Sequence, residues 1–344
     1  MSSNVTLKEI ANELGISAMT VSRALNDKNN VDEKTKKRVV SKAHSMGYTP
    51  NHVAKSLVSR KTFTIGVVIP EINHAFFSEV ISGIEEVTYK RNYQLFLTNS
   101  AEKHEREKSS INALQSKRVD GILISCAETA SDIDFYERII KNGLPFVFFD
   151  RCIEGIGASC VSVNDYESSK IITEHLIGHG YESIAHLSGP DNMTLARNRK
   201  RGYIDALMMH DLLFQESLIV ESGFNETGGY NAMKKLLERT ADNPPRAVFA
   251  LNDPAAFGAM KAIRESGQSI PDDIAVVGFS DDVRSELISC PLTTVRQPAF
   301  DIGKTAAKKL IDTIDNSEEP TETIKLKNEI IIRQSCGCAP GVSL

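Results

Sequence analysis

Thr6-Leu-Lys-Glu-Ile-Ala-Asn-Glu-Leu-Gly-Ile-Ser-Ala-Met-Thr-Val-Ser-Arg-Ala-Leu-Asn26 reads as two short helices joined by a tight turn. Thr6 with Glu9 three residues later forms a capping box, and Leu7, Ile10, Ala11 and Leu14 recur at helical spacing, so a first amphipathic helix starts at Thr6. Gly15 ends it. Ser17 caps a second helix whose Val21 and Leu25 face inward, which leaves Ala18, Met19, Thr20, Ser22 and Arg23 on its outer and N-terminal surface. A third helix, roughly Asp32 to Met46, carries Val39, Ala43 and Met46 on one side. Lys34, Lys36, Lys37, Arg38 and Lys42 lie around the other, and Gly47 stops it. Three such helices make a small core. In a helix-turn-helix the exposed positions of the second helix meet base edges and phosphates.

The chemistry of these side chains divides them. Arg23 can read a guanine bidentately, while Ala18 and Met19 offer only apolar contact, as to a thymine methyl. Thr6, Ser17, Thr20, Ser22 and Asn26 carry short polar groups suited to phosphates. Residues 1–62 hold 11 Lys/Arg against 5 Asp/Glu, so a head of charge +6 sits on a body of −11 inside a chain of net −5. A basic head of this kind binds DNA by releasing counterions. A helical hairpin used for protein contacts is the alternative, and capping, turn and charge signals argue together against it.

A chain of 344 residues suggests a small head plus a two-lobed body. No apolar run approaches the ~20 residues needed to span a bilayer, and Met1-Ser-Ser-Asn lacks a signal-peptide pattern, so a cytoplasmic protein without membrane contact is expected. Cys126, Cys152, Cys160, Cys290, Cys336 and Cys338 are scattered without paired Cys/His spacing. Cys336-Gly-Cys338 near the tail is weak evidence for a metal, and reduced, partly buried thiols are expected, with no metal and no cofactor.

Pro50 to Thr62 is a short segment with Val53, Ala54 and Leu57 on one face and Lys55, Arg60 and Lys61 beside them. It is too short and polar to hold a helix firmly by itself. The body then alternates strands and helices. Apolar runs Phe63–Ile69, Tyr93–Thr98, Val119–Ser125 and Pro145–Asp150 are separated by helical stretches near 76–91, 103–117 and 132–142. A second series, Ile184–Ser188, Leu218–Glu221, Ala247–Leu251 and Ile274–Phe279, comes with helices near 165–179, 196–210, 226–239 and 254–267. Continuous apolar strands belong to parallel sheets covered on both faces, so two doubly wound α/β lobes follow an all-α head.

In open parallel sheets a ligand sits beyond the carboxyl ends of the strands, which selects Ser125, Asp150, Arg151, Asn252, Asp253, Ser280 and Asp281. Carboxylates, an amide and a guanidinium converging in a cleft suit a polyhydroxylated ligand. An Asp after a strand also caps helices, which accounts for Asp253 and Asp282 without any ligand. Enzyme chemistry is disfavoured: no GxGxxG follows Ile65–Ile69, no GxxxxGK[ST] occurs, and no nucleophile–base pair stands out.

Val5-Thr-Leu-Lys-Glu-Ile-Ala, Val21-Ser-Arg-Ala-Leu-Asn26, Gly47-Tyr-Thr-Pro-Asn51 and Ala54-Lys-Ser-Leu57 resemble the head and hinge of the lactose-repressor/galactose-repressor (LacI/GalR) family of bacterial transcription factors. The likeness runs through essentially the whole chain. It implies a DNA-binding head over 1–49 and a hinge helix over 50–62 that forms when two subunits sit side by side on double-stranded operator DNA. Asn51, Ala54 and Lys55 would contact the DNA there, and Leu57 would wedge into the minor groove, kinking the duplex. The body, 63–344, would resemble periplasmic sugar-binding proteins, with crossings near 161–164, 289–294 and 320–326. That gives a first lobe of about 63–161 and 291–322 and a second of about 163–289 and 325–338.

The same resemblance sharpens the ligand site. Asn73-His-Ala-Phe-Phe77 resembles a loop whose aromatic pair, Phe76 and Phe77, lines the pocket, and Gly189 to Tyr203 resembles the segment that places an arginine on the ligand. Spacing to Gly202-Tyr203 selects Arg199, with Arg197 and Arg201 as rivals; Phe76 and Phe77 also suit plain core packing, and Arg199 a surface ion pair. Asn252, Asp281 and Asp150 match the remaining polar contacts. Met193 stands where purine-responsive members carry a further arginine, which argues against a nucleobase corepressor. The expected protein is a homodimeric regulator, acting as a repressor, whose operator affinity is set by a small effector such as a sugar or sugar derivative. The alternatives are a catabolite-control regulator driven by a phosphocarrier protein, and a sugar-binding or metabolic protein on the same fold. The chain has no heptad tail of the kind that ties some relatives into tetramers.

Overall fold

The computed structural model of the chain describes residues 5–25, 31–48, 61–127, 132–153 and 155–338. Two compact units are present, Met1–Thr62 and Phe63–Leu344. The first holds helices α1 (Leu7–Leu14), α2 (Ala18–Leu25) and α3 (Glu33–Ser45). Its capping box is closed in both directions, with Glu9 N donating to Thr6 Oγ1 at 3.3 Å and Thr6 N donating to Glu9 Oε2 at 2.6 Å. Gly15 follows at φ 67°, a left-handed conformation that ends α1 without steric cost. Ile10, Ala11, Val21, Ala24, Val39 and Ala43 form the buried core. Ala24, three residues after Val21, takes the buried place expected of Leu25, which packs at the edge of the cluster. Asp32 caps α3 by accepting from Thr35 N at 2.9 Å, and Lys42 Nζ pairs with Glu13 Oε2 at 2.7 Å, tying α3 to α1.

The second unit contains two six-stranded sheets. The strands are β1 (Thr64–Ile69), β2 (Gln94–Asn99), β3 (Gly121–Ile124), β4 (Phe146–Phe149), β5 (Ser159–Val163), β6 (Ile184–Ser188), β7 (Ile219–Glu221), β8 (Ala247–Ala250), β9 (Ala275–Ser280), β10 (Thr293–Arg296), β11 (Thr323–Leu326) and β12 (Glu329–Ile331). The first sheet runs β11-β5-β4-β3-β1-β2 and the second β12-β10-β9-β8-β6-β7. Every pairing is parallel except β10 with β12. Alternate residues of the inner strands feed opposite faces: Ile65, Val67 and Phe149 join one buried cluster of the first lobe, Val68, Ile122 and Phe148 the other. Such double burial explains why those strands read as unbroken apolar runs.

The chain crosses between lobes at three places. The first lies between β5 and the helix Asp165–Gly178, which packs on the helix Thr194–Met209 of the second lobe. The second falls at 297–298, later than the 289–294 expected, because β10 pairs with β9 before the helix Ala299–Asp315 returns to the first lobe. The third falls at 327–328 in place of 320–326, because β11 pairs in parallel with β5. The first lobe is therefore 63–163 with 299–326, and the second 165–296 with 329–338.

The thiols also differ from expectation. Cys152, three residues past β4, and Cys160, within its parallel neighbour β5, are joined by a disulfide, Cα–Cα 5.9 Å. Cys126, Cys290, Cys336 and Cys338 are free. Among the described residues, no helix is long and apolar enough to cross a membrane.

Candidate functional sites in head and body

In the head, Ser17 Oγ accepts from Thr20 N at 3.1 Å and lies 2.9 Å from Thr20 Oγ1, so α2 begins on a polar, well-ordered turn. Met19 is 64% exposed, Arg23 is exposed and Thr20 and Ser22 are half-buried. Ala18 is also half-buried, packed against the head core, so less of it is open to a base than of Met19. Thr6 is exposed at the start of α1. Asn26 and the hinge residues Asn51, Ala54, Lys55 and Leu57 lie outside the described residues.

In the body, the polar strand ends of the two lobes face one another. Asp150, just past β4, has φ 58°, and Ser280 and Asp281 at the end of β9 have φ 128° and 58°. Non-glycine residues are rarely held in this region, and such strain clusters at binding sites. Ser125 Oγ donates to Asp150 Oδ2 at 3.4 Å, and Gln297 Nε2, from the second crossing, donates to Asp150 Oδ1 at 3.5 Å. Burial pushes the Asp150 carboxyl up to about 6, while Arg151 and Arg199 pull it the other way.

Arg151 is buried and holds Glu102 through two bonds of 2.6 and 3.0 Å. Its guanidinium also lies 4.2 Å from the centre of the Phe224 ring and 5.9 Å from that of Phe77, so it bridges the lobes. Asn252 spends Oδ1 on Ala255 N at 3.0 Å and Nδ2 on the Phe224 carbonyl at 2.9 Å, with His74 Nε2 of the first lobe 3.5 Å away. Burial, followed by the Arg151 charge, lowers His74 to about 4 and keeps its ring neutral.

Arg199 is not a surface residue. Its Nε and Nη2 lie 2.9 and 2.7 Å from Asp165 Oδ1, Nη1 donates to the Leu251 carbonyl at 2.7 Å, and the guanidinium lies 3.6 Å from the Phe279 ring centre. Asp281 is likewise paired, with Arg296 Nε at 2.7 Å from Oδ2 and Arg333 at 2.8 Å from Oδ1. Phe76 and Phe77 belong to the buried cluster of the first lobe, Phe77 with one face toward Arg151. Asp253, expected to cap a helix, is instead a buried pin: Thr294 Oγ1, Ser285 Oγ and Asp282 N donate to it at 2.6, 2.8 and 2.8 Å, and Asn252 provides the cap.

Ser125, Asp150, Arg199 and Asn252 are thus brought to one interlobe region, and Asp281 sits in its own ion-pair network. His74, Glu102, Asp165, Phe224 and Gln297 join them from the segments that follow the carboxyl ends of β1, β2, β5, β7 and β10. His74 lies inside Asn73-His-Ala-Phe-Phe77, and Glu102 and Phe224 follow the apolar runs Tyr93–Thr98 and Leu218–Glu221, so these three were within reach of the sequence; Asp165 and Gln297 follow strands that no apolar run marks.

A helix-turn-helix head joined to a two-lobed parallel-sheet body with a charged interlobe site is the build of a ligand-responsive DNA-binding regulator. Residues 6–51 match the profile described as bacterial regulatory proteins, lacI family, and residues 173–336 that of a periplasmic binding protein-like domain. Over 331 residues the chain is 33% identical to the HTH-type transcriptional repressor PurR of Pasteurella multocida (strain Pm70), covering 96% of this chain and 98% of that one. It superposes on the lac repressor dimer bound to operator and the anti-inducer ONPF with a TM-score of 0.86 at 25% identity, covering 97% of this chain and 99% of that one. The transcriptional regulator CelR–cellobiose complex aligns with a TM-score of 0.72 at 28% identity, covering 96% and 100%. The chain belongs to the LacI family of DNA-binding transcriptional repressors, and it is not an enzyme.

Proposed function

We propose that this repressor binds a near-palindromic operator as a homodimer and that a small polyhydroxylated effector, a sugar or sugar derivative, controls its affinity from the site between the lobes. The observation that carries this reading is the cluster of Asp150, Ser125 and Gln297 beside Arg151 and Arg199, walled by Phe77 and Phe224. Carboxylate and amide oxygens accept from hydroxyls, the guanidinium groups donate, and ring faces cover the C–H side of a sugar. Met193, buried with Leu195, Ala196 and Leu251, adds an apolar wall. The cellobiose held by CelR is a ligand of the same chemical class.

The dimer would form through the first lobe. β2 is an edge strand of its sheet and leaves Phe96 and Leu97 41% and 40% exposed, a surface suited to cover by a second copy. In the dimer the paired hinges would present Leu57 to the minor groove, and effector closure of the lobes would change their spacing.

Titration of a labelled operator duplex with the full chain, with and without sugars, sugar acids, sugar phosphates and nucleobases, tests this. The expected result is two chains per duplex and a change in operator affinity of about 5–150-fold with one of the sugar-type compounds. The same compound should raise the melting temperature. By reciprocity, operator DNA should shift the affinity for that compound by the same factor. A response to a nucleobase alone would overturn the effector class, and one chain per duplex would overturn the dimer.

The same assay reads the head. Arg23→Ala should lose about 1–3 kcal/mol of discrimination between operator and scrambled DNA while keeping most non-specific binding. An unchanged preference would show that Arg23 does not read a base.

A further inference from the structure

The second lobe gathers four nitrogen and sulfur donors at a place the effector site does not use. His175 and His179 are four residues apart at the end of the helix Asp165–Gly178, so their rings share one face, with centroids 4.7 Å apart. Cys336 and Cys338 come from the short helical turn Gln334–Cys336 after β12, more than 150 residues later. Gly337 stands between them at φ 91°, and any Cβ there would lie 2.8 Å from Tyr181 Oη, so the position favours glycine twice over.

The donor atoms converge. Those of His175, Cys336 and Cys338 lie within 4.8 Å of one another, and His179 stands at the rim of that group, reaching it at Cys338 Sγ. Cys338 Sγ is 2.9 Å from His179 Nε2 and 3.7 Å from His175 Nε2. Tetrahedral zinc, with bonds of ~2.3 Å to sulfur and ~2.05 Å to nitrogen, separates its S and N ligands by roughly 3.5 Å, within the span of these distances. We propose that His175, His179, Cys336 and Cys338 form a structural metal site for a divalent zinc ion.

The surroundings hold the donors in place. Ser335 Oγ donates to the Val276 carbonyl at 2.6 Å, Thr293 N donates to Ser335 Oγ at 2.8 Å, and Ser335 N donates to the Pro291 carbonyl at 3.0 Å, so the Cys-Gly-Cys turn is fixed to the second sheet before any metal arrives. Thr293 Oγ1 lies 3.1 Å from Cys336 Sγ, and Tyr181 Oη donates to the Cys336 carbonyl at 3.3 Å, an outer shell of the kind that orients metal ligands. Two thiolates and two imidazoles around a tetrahedral centre select zinc over magnesium, calcium or manganese. All four ligands belong to protein and leave no open position, which marks a structural ion. The ion ties the end of the second lobe to the helix whose first residue, Asp165, holds Arg199.

The test uses the full chain, stripped with a chelator under reducing conditions and dialysed against Zn(II) or Co(II). The expected result is roughly one metal per chain, a higher melting temperature, and a Co(II) form with the intense visible bands and thiolate charge transfer of tetrahedral S/N coordination. Cys338→Ser and His179→Ala should each abolish metal retention and the Co(II) spectrum while operator binding persists. His179 is exposed, so its variant remains informative if Cys338→Ser fails to fold. No metal retained by the parent chain, a weak octahedral Co(II) spectrum, or full retention by His179→Ala would each overturn the site.

Discussion

Arg199→Ala should lower the stability of the body by about 3–5 kcal/mol, the penalty for leaving one member of a buried ion pair alone. The side chains of Arg199 and Asp165 are only 4% and 7% exposed, and the variant strands the Asp165 carboxylate while removing a donor from the Leu251 carbonyl. The pair sits just past the first crossing between lobes, so the loss also removes a constraint on how the lobes meet. Effector response should disappear, while the head residues that bind DNA are untouched. In urea, Arg199→Ala should unfold at a lower midpoint than the parent chain, and Arg199→Ala/Asp165→Asn should recover part of the loss, the coupling that a double-mutant cycle isolates. An unchanged midpoint would show that Arg199 is not needed as a structural partner and is free to serve a ligand alone.

Arg199 also illustrates what a linear reading reaches. Its position and its charge were legible, but its partner Asp165 lies 34 residues earlier on a different helix, and no local spacing links them. The head was legible almost completely, because a capping box, a glycine stop and a helical apolar stripe all act within a few residues. In the body, the buried parallel strands announced themselves as apolar runs. β5, β10 and β11 did not: Ser159–Val163, Thr293–Arg296 and Thr323–Leu326 are short and partly polar, and their place is fixed by pairing with β4, β9 and β5. The two misplaced crossings follow from those strands. The strand-end rule found Asp150, Ser125 and Asn252 because it describes one edge of a sheet. Glu102, Phe224 and Gln297 obey the same rule, three, three and one residues past β2, β7 and β10, but the first two sit deeper in their loops and the third follows a strand that no apolar run marks. The His175–Cys338 cluster was legible only in part: Cys336-Gly-Cys338 is a weak metal signal by itself, and it meets the His-x3-His pair at the end of the helix Asp165–Gly178 only through tertiary contact.

Asp150→Asn should make the protein more stable at neutral pH, by up to about 3 kcal/mol. Burial raises this carboxyl from its ordinary value of 3.8 to about 6 even with Arg151 and Arg199 nearby, roughly two units at about 1.4 kcal/mol each. Because the folded value lies above the unfolded one, the native state holds the extra proton between about pH 4 and 6. The stability this confers is complete below pH 4 and is lost as pH rises through 6, so at neutral pH the charged carboxylate destabilises the fold. Asparagine cannot ionise, tolerates the left-handed backbone at φ 58°, and can still accept from Gln297 or Ser125. His74 and His186, both lowered to about 4 by burial, contribute with the opposite sign, losing stability as pH falls below 6.5. Both histidines are present in parent and variant, so they cancel in the difference between the two proteins. Chemical denaturation of both at several values from about pH 4.5 to 7.5 should show a gap that opens with rising pH and closes toward pH 4. A gap independent of pH, or one favouring the parent chain at neutral pH, would remove the basis for calling this carboxylate strained. A buried charge that destabilises its own fold is the kind of group that binding sites keep for their ligands, so the stabilised Asp150→Asn protein should also be the one whose operator no longer answers to effector.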